Sequence, residues 1–420
     1  MLTSLPAGDT IAARASKRAV RRTSRDRERL LALAEGRRGV VTLGRGDPDL
    51  PTPSHIIEAA KLALDEGATH YTHWQGRADL REAIVEKCRR DYRVEMSAGQ
   101  VIVTAGAQEA MYVVFQALLD PGDEVLLADR HYTSYSRAIR LAGGVPVFIP
   151  TREANDFVVN PDDVEALISP RTKLMVVVSP ENPTGAVIPP ATIAALGRLA
   201  LRHDLLVVAD DIYEKFVYEG PPHASIVSEP GLAERTIMIN GFSKTYAMTG
   251  WRVGYMAVPP ALVGPVEIVK HTLTICAPAV SQAAALAALT GPQECVGKMR
   301  AVYAERRRIL LEGFEALGMG GRWSRGALYV YPRVMIPGES SYDFCVRVLE
   351  RANVLIFPGS AFGAGDGYMR TTLLQPAEVM REAVLRMTAV LSRGGGVSDG
   401  ALVRRGTGSG GAKGGAHRGG

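Results

Sequence analysis

The sequence predicts an α/β protein built on a mostly parallel sheet, followed by a smaller α+β domain. Three observations predict it. Seven short, nearly continuous apolar segments recur at 101–104, 124–128, 146–149, 174–179, 205–209, 236–240 and 252–257. Helical patterns such as 108–119 and 191–202 separate several of them. Strands that are apolar at nearly every position are those covered on both faces, which crossover helices produce in a parallel sheet. After about residue 295 the pattern changes. A long helical stretch (296–317) is followed by short strand-like runs near 328–331 and 354–356 and by a closing helix at 377–391.

Taken in order, the chain starts with a basic segment. Residues 10–35 show helical periodicity around Leu30, Leu31 and Leu33 with an Arg-rich outer face, an amphipathic arm suited to lying on the body or on a partner. Residues 1–40 carry ten Lys/Arg against four Asp/Glu, and residues 394–420 carry four against one. The two ends therefore hold more than the whole net charge of +5, and the body between them is acidic. A basic pI confined to the ends argues against a folded nucleic-acid surface. The segment 394–420 has twelve glycines in 27 residues and almost nothing to bury, so disorder is expected there. No run of eighteen apolar residues occurs, which argues against a membrane span, and the first residues do not read as a secretory signal. Cys88, Cys276, Cys295 and Cys345 are scattered without a CxxC pair, so reduced thiols in a cytoplasmic protein are expected rather than zinc or a disulfide framework.

The chemistry-bearing residues gather where open α/β sheets place their ligands, at the carboxyl ends of strands. The segment 174–179 runs into Pro180-Glu181-Asn182-Pro183-Thr184-Gly185, and 205–209 into Asp210-Asp211-Ile212-Tyr213. The segment 236–240 ends in Gly241-Phe242-Ser243-Lys244, and 101–104 in Ala105-Gly106-Ala107, which opens a helix. A glycine turn at a helix N-terminus suits a phosphate, although such turns are common. A strand-end lysine is usually a solvated side chain; it can form an imine when burial or a nearby charge lowers its pKa. Singly, Asp210 also reads as a helix cap, Tyr213 as packing, and Arg252 and Arg370 as surface ion pairs. Their coincidence at one sheet edge favours a site.

The segment Gly241-Phe242-Ser243-Lys244-Thr245-Tyr246-Ala247-Met248-Thr249-Gly250-Trp251-Arg252-Val253-Gly254 resembles the lysine signature of class I/II aminotransferases, enzymes of fold type I that depend on pyridoxal 5′-phosphate (PLP). Asn182-Pro183-Thr184-Gly185 and Asp210-Asp211-Ile212-Tyr213-Glu214-Lys215 resemble two further landmarks of that family, in the right order. The similarity extends over roughly 25–392 and is strongest to the aspartate-aminotransferase-like branch. The resemblance implies a seven-stranded, mostly parallel sheet in a large PLP-binding domain (48–290) and a small α+β domain (291–393). An N-terminal segment (1–47) would contribute an arm and part of the small domain, ahead of a glycine-rich tail (394–420).

For individual residues it implies that Lys244 holds PLP as an imine and moves the substrate α-proton. Asp210 pairs with the pyridine nitrogen so that the ring accepts electrons, and Tyr213 and Asn182 hydrogen-bond the phenolic oxygen. Arg252, Ser243, Gly106 and the backbone of Ala107 and Gln108 bind the phosphate, Tyr132 stacks on the ring, and Tyr71 reaches the phosphate of a neighbouring subunit in a homodimer. Arg370 grips the substrate α-carboxylate, for which its planar fork is suited, with Asn182 and the backbone of Gly46 beside it. The implied reaction moves an amino group from an L-amino acid to a 2-oxo acid, 2-oxoglutarate being the expected acceptor.

Gln108 departs from the pattern. Dicarboxylate-preferring relatives often carry lysine there, and a neutral amide cannot supply that ion pair; Arg45 lies nearby in the pattern, and a neutral or aromatic amino acid fits as well as aspartate or glutamate. A β-lyase or an ACC-synthase-like eliminase would use the same residues and differ only in the fate of the carbanion. A PLP-sensing transcription factor is a rival of another class, but too few residues precede the matched body for a winged helix. Arg45-Gly46-Asp47 is read as structural, and His70, His73 and His131 as surface or pocket residues rather than metal ligands.

Overall fold

A computed structural model describes residues 16–19, 25–334 and 338–391 of the chain. The expected tail at 394–420 and most of the expected arm ahead of residue 25 lie outside the described residues. From the N-terminal side the elements run α1 (Asp26–Ala34), β1 (Val41–Thr42), α2 (Ser54–Asp65), α3 (Ala78–Tyr92), β2 (Val101–Thr104), α4 (Ala107–Leu118), β3 (Glu124–Ala128) and α5 (Ser134–Leu141). There follow β4 (Val145–Ile149), α6 (Pro161–Ala166), β5 (Thr172–Val178), α7 (Pro190–Arg202), β6 (Leu206–Asp210), β7 (Thr236–Gly241) and β8 (Gly254–Ala257). The remainder is α8 (Val263–Thr274), α9 (Ala279–Thr290), α10 (Glu294–Ala316), β9 (Tyr329–Val330), α11 (Ser341–Ala352), β10 (Val354–Leu355), β11 (Phe357–Pro358), β12 (Met369–Thr372) and α12 (Ala377–Leu391).

The seven expected strands form one sheet in the order β2-β8-β7-β6-β5-β3-β4. Strands β3 to β7 pair in parallel, whereas β8 runs antiparallel to both β2 and β7. Because β8 lies between them and runs antiparallel to both, β2 points the same way as β7. The carboxyl ends of β2, β3, β5, β6 and β7 therefore share one edge. Every residue of β2 and β7 is buried, as expected of strands covered on both faces. The last expected strand (252–257) is shortened to β8 because Arg252 adopts φ 51°, a left-handed conformation that no strand accommodates.

A second core lies around the C-terminal elements. Leu30 of α1, Val41 and Leu43 pack there with Tyr303 and Leu310 of α10, Phe344 and Val348 of α11 and Met380 of α12. β1 also pairs in parallel with β10, and β11-β12-β9 form a small antiparallel sheet. The N-terminal and C-terminal stretches thus share one core, which brings residues 44–47 to the sheet edge beside Arg370. Among the described residues no helix is long and apolar enough to cross a membrane.

Candidate active site

A cavity of about 640 Å3 opens over the carboxyl edge of the sheet, between it and the C-terminal core. Of the residues singled out in the sequence, Gly46, Ala107, Gln108, Tyr132, Asn182, Asp210, Tyr213, Ser243, Lys244, Arg252 and Arg370 line it. Tyr71 does not; it is 79% exposed on the outer surface. Gly106 is not part of the lining; it is buried against the Arg252 guanidinium.

Lys244 follows β7 through a short turn, and its Nζ donates to the carbonyl of Gly46 at 2.7 Å. Burial, reinforced by the positive charges of Arg370 and Arg252 and opposed by Asp47, pulls its pKa down to about 8. A substantial fraction of this amine is therefore neutral, hence nucleophilic, in mildly alkaline water. Asp210, the last residue of β6, is 8% exposed. Its carboxylate accepts from the Tyr135 phenol and from the backbone amide of Ile212, the latter at 3.1 Å. Burial outweighs these two donors and raises its pKa to about 6. No cation pairs with it among the described residues, so the carboxylate is held ready for a positive partner.

Tyr213, three residues on, shares a 2.7 Å hydrogen bond with the hydroxyl of Tyr329. Burial first, then Tyr329, keeps its phenol protonated far above the usual range. Asn182 follows β5 through the cis peptide Ser179–Pro180. Its Oδ1 accepts from Arg370 Nη1 at 3.1 Å, while Arg370 Nη2 donates to Gly44 O at 2.7 Å. The Arg370 guanidinium stacks near Phe362 (4.3 Å to the ring centroid) and Tyr329 (4.6 Å), is 5% exposed, and leaves its Nε without a partner. A buried guanidinium with no carboxylate is costly unless something anionic completes it.

At the opposite side Arg252 donates to two carbonyls, Thr249 O at 3.0 Å and Ala105 O at 3.2 Å, and to no carboxylate among the described residues. It faces the N-terminus of α4, whose first amides, those of Ala107 and Gln108, have no partner inside the helix. Gly106 has φ 84°, and a Cβ there would lie 2.7 Å from Arg252 Nη2. Only glycine lets the guanidinium close over this turn, and the result is a cationic cradle of anion-binding character. Tyr132, 40% exposed, donates to Gln108 Oε1 at 3.3 Å.

Several lining residues have no counterpart in the sequence reasoning. Tyr135 and Tyr329 hold Asp210 and Tyr213 from distant parts of the chain. Asp47, inside the segment read as structural, lines the cavity and accepts from the Thr249 hydroxyl at 2.6 Å. Arg27 of α1 also reaches the cavity. His131, expected from the sequence at the surface or in the pocket, sits in the wall, buried, with Nε2 2.9 Å from Ser136 Oγ.

The sequence model of the family "Aminotransferase class I and II" matches residues 38–387. The chain is 38% identical over 367 residues to an aromatic-amino-acid aminotransferase of Thermococcus litoralis, covering 86% of this chain and 94% of that protein. It is 39% identical over the same length, with the same coverage, to an aspartate aminotransferase of Pyrococcus abyssi. Among solved structures, the aspartate aminotransferase of Thermus thermophilus with maleate superposes with a TM-score of 0.82 at 39% identity, over 88% of this chain and all of that one.

Proposed function

The chain belongs to the class I and II aminotransferases, and we propose that Lys244 is the residue through which it holds its PLP and moves the substrate proton. The enzyme transfers amino groups. Bound PLP supplies an electron sink for the charge left at the substrate Cα when its proton departs. The remaining work falls to the side chains around the cavity. The observation that carries this reading is a lysine depressed to about 8 in a cavity where Asp210, Arg252 and Arg370 have no opposite charge to answer them.

These unanswered charges fit the three ionic groups of the cofactor and substrate. Arg252, Ser243, Gly106 and the amides of Ala107 and Gln108 take the phosphate. Asp210 would hold a proton on the ring nitrogen, Tyr213 and Asn182 would hydrogen-bond the phenolic oxygen, and Tyr132 would lie against the ring. Arg370, with Asn182 and Gly46 beside it, binds the α-carboxylate in bidentate fashion and turns the Cα–H bond toward Lys244. Once the substrate amine has displaced it from the cofactor, the freed Lys244 amine would be the base that takes that proton and holds it for return.

We take the amino donor to be an L-amino acid and the acceptor a 2-oxo acid, with 2-oxoglutarate as the expected one. The active unit is proposed as a homodimer in which the exposed Tyr71 completes the phosphate site of its neighbour; its 79% exposure supports this. Residues 48–290 form the proposed large domain and 291–393 the small one. The N-terminal stretch joins the latter, as the pairing of β1 with β10 supports. Four unpaired cysteines support a cytoplasmic location.

The test is an absorption spectrum of the PLP-loaded protein before and after single amino acids are added without an acceptor. A visible cofactor band, absent in Lys244→Ala and discharged by an amino acid with formation of one equivalent of its oxo acid, is expected. Continuous release of ammonia and oxo acid with the band unchanged would replace transfer by elimination.

A further inference from the structure

Five cationic side chains line the cavity: Arg27, Arg45, Lys244, Arg252 and Arg370. The reading above uses the last three. Arg27 and Arg45 have no hydrogen bond and no ion pair among the described residues. The acids of the cavity do not answer them. Asp210 faces Tyr135 and Ile212, Asp47 accepts from Thr249, and Glu181 accepts from the Thr184 hydroxyl at 2.7 Å. Gln108 adds only a neutral amide, engaged with Tyr132.

Of the two free guanidinium groups, Arg27 is the one held in place. It projects from α1, which is fastened on both sides of it. Asp26 Oδ2 accepts from Ser360 Oγ at 2.7 Å, and Leu30 is fully buried in the C-terminal core. The Arg27 guanidinium lies 5.2 Å from the centroid of the Phe357 ring, a cation–π contact that restricts an otherwise mobile side chain. Arg370 faces the same ring at 5.7 Å. The two guanidinium carbons are therefore at most about 11 Å apart. Both guanidinium groups thus sit against one ring, close enough for the two ends of a single small dicarboxylate to reach them.

We propose that Arg27 is a specificity residue that binds the distal carboxylate of a four- or five-carbon dicarboxylic amino acid or its 2-oxo acid, while Arg370 holds the α-carboxylate. The assignment rests on the aminotransferase site proposed above. It gives the cavity a second anion-binding pole contributed by the N-terminal helix rather than by the sheet edge. Because α1 packs on the core that carries Phe357 and Phe362, a dicarboxylate bridging Arg27 and Arg370 also links that helix to Arg370 through the ligand. A substrate with a neutral side chain makes no such link.

The experiment uses the PLP-loaded full chain in wild-type, Arg27→Gln, Arg27→Lys and Arg45→Gln forms. Calorimetry with succinate and with butyrate measures distal-carboxylate binding without turnover; half-reaction rates are then taken with glutamate and aspartate against glutamine and asparagine. Wild type is expected to bind succinate well and butyrate weakly. Arg27→Gln should lose about 10- to 100-fold in succinate affinity and in kcat/KM for the two acidic substrates, the size of a charge-assisted pair. Rates with the two amides should stay within about twofold, and Arg27→Lys should recover part of the loss. Equal losses on acids and amides would reduce Arg27 to a structural role and overturn the proposal. So would a loss confined to Arg45→Gln, or wild type that binds succinate no better than butyrate. The aminotransferase reading fails separately, if no amino acid discharges the cofactor band of wild type.

Discussion

Two neighbouring carboxylates at the end of β6 have opposite surroundings. Asp210 opens onto the cavity with hydroxyl and amide donors only, and burial drives its pKa up to about 6. Asp211 points the other way, into a cluster in which charge is matched. Its Oδ1 lies 3.0 Å from His223 Nε2, and its Oδ2 accepts from Ser225 at 2.6 Å. Close by, Lys87 pairs with Glu214 at 2.6 Å and with Asp91 at 3.1 Å, and Asp91 in turn accepts from Lys215. Burial opposes both charges of the Lys87–Glu214 pair, yet their mutual attraction wins: Lys87 is held well above its usual pKa and Glu214 below its own. On one side of the strand end the charges are thus paired within the protein, and on the other the carboxylate is left without a charged partner among the described residues. That contrast, more than any single motif, separates functional from structural charge here.

The largest effect should come from the open side. Lys244→Ala is expected to lower turnover on the order of 10^4-fold or more, since it removes the group that moves the proton. The unfolding temperature of the apoprotein should not fall, because burial makes the charged amine a liability below about pH 8 and among the described residues it makes one hydrogen bond, to Gly46. A loss of turnover accompanied by general unfolding would erase the distinction between the two sides.

The adjacent pair offers the sharpest comparison. Asp210→Asn should cost about 10^2- to 10^4-fold in kcat while stabilising the apoprotein at neutral pH. The sign follows from the raised pKa: the stability associated with the protonated acid is complete below the unfolded value near 4. It is lost as pH rises through about 6, so ionised Asp210 is a liability at pH 7.5. An uncharged isostere removes that liability, worth on the order of 1–3 kcal/mol. Asp211→Asn should do the reverse, costing about 3–5 kcal/mol by stranding buried His223, with kcat of the remaining folded enzyme reduced far less. Urea denaturation of both apoproteins, set beside their turnover numbers, checks this. Two variants that behave alike would show that the division drawn at β6 is wrong.

This division was only half legible in the sequence. Asn182, Asp210, Tyr213 and Lys244 could be found because each follows an apolar run, and strand ends in an open α/β sheet share an edge. Their partners could not. Tyr135 meets Asp210 across 75 positions and Tyr329 meets Tyr213 across 116, and no local pattern encodes such a register. The Arg-rich face of residues 10–35 does not single out Arg27, because its place over Phe357 depends on how α1 docks on the C-terminal core. The strands were legible for the same reason as the site. In the large sheet the exception was the start of β8, where the left-handed backbone of Arg252 leaves no trace in composition, and outside it the short β1, β11 and β12 gave no strand signal. Helix α9 was not read either, since it is alanine-rich and buried on much of its circumference, which blurs the 3.6-residue periodicity.

Tyr135→Phe should have an intermediate effect. The phenol lowers the Asp210 pKa against the larger pull of burial. Without it, the carboxylate gains its charge only at higher pH, and the acidic limb of the kcat/KM profile should move upward. A loss on the order of tenfold at neutral pH is expected, from one hydrogen bond to a charged group, with partial recovery at pH 9. A uniform loss at every pH would mean that the tyrosine acts only through packing.

The smallest effect belongs to the closed side. Burial disfavours a charged His223, but the carboxylates of Asp211 and Glu214 outweigh it and hold its pKa above the ordinary value. The stabilisation this represents is fully present below about pH 6.5, the unfolded value, and disappears as pH rises through the folded one. Wild type should therefore lose stability relative to His223→Gln on going from pH 6 to pH 9, by about 1 kcal/mol for each unit of the shift. Turnover of the folded enzymes should keep the same pH profile, because nothing on this side touches the cavity. Were the two stability curves to run parallel, His223 would be neutral throughout, and Asp211 would join Asp210 as a carboxylate without a charged partner.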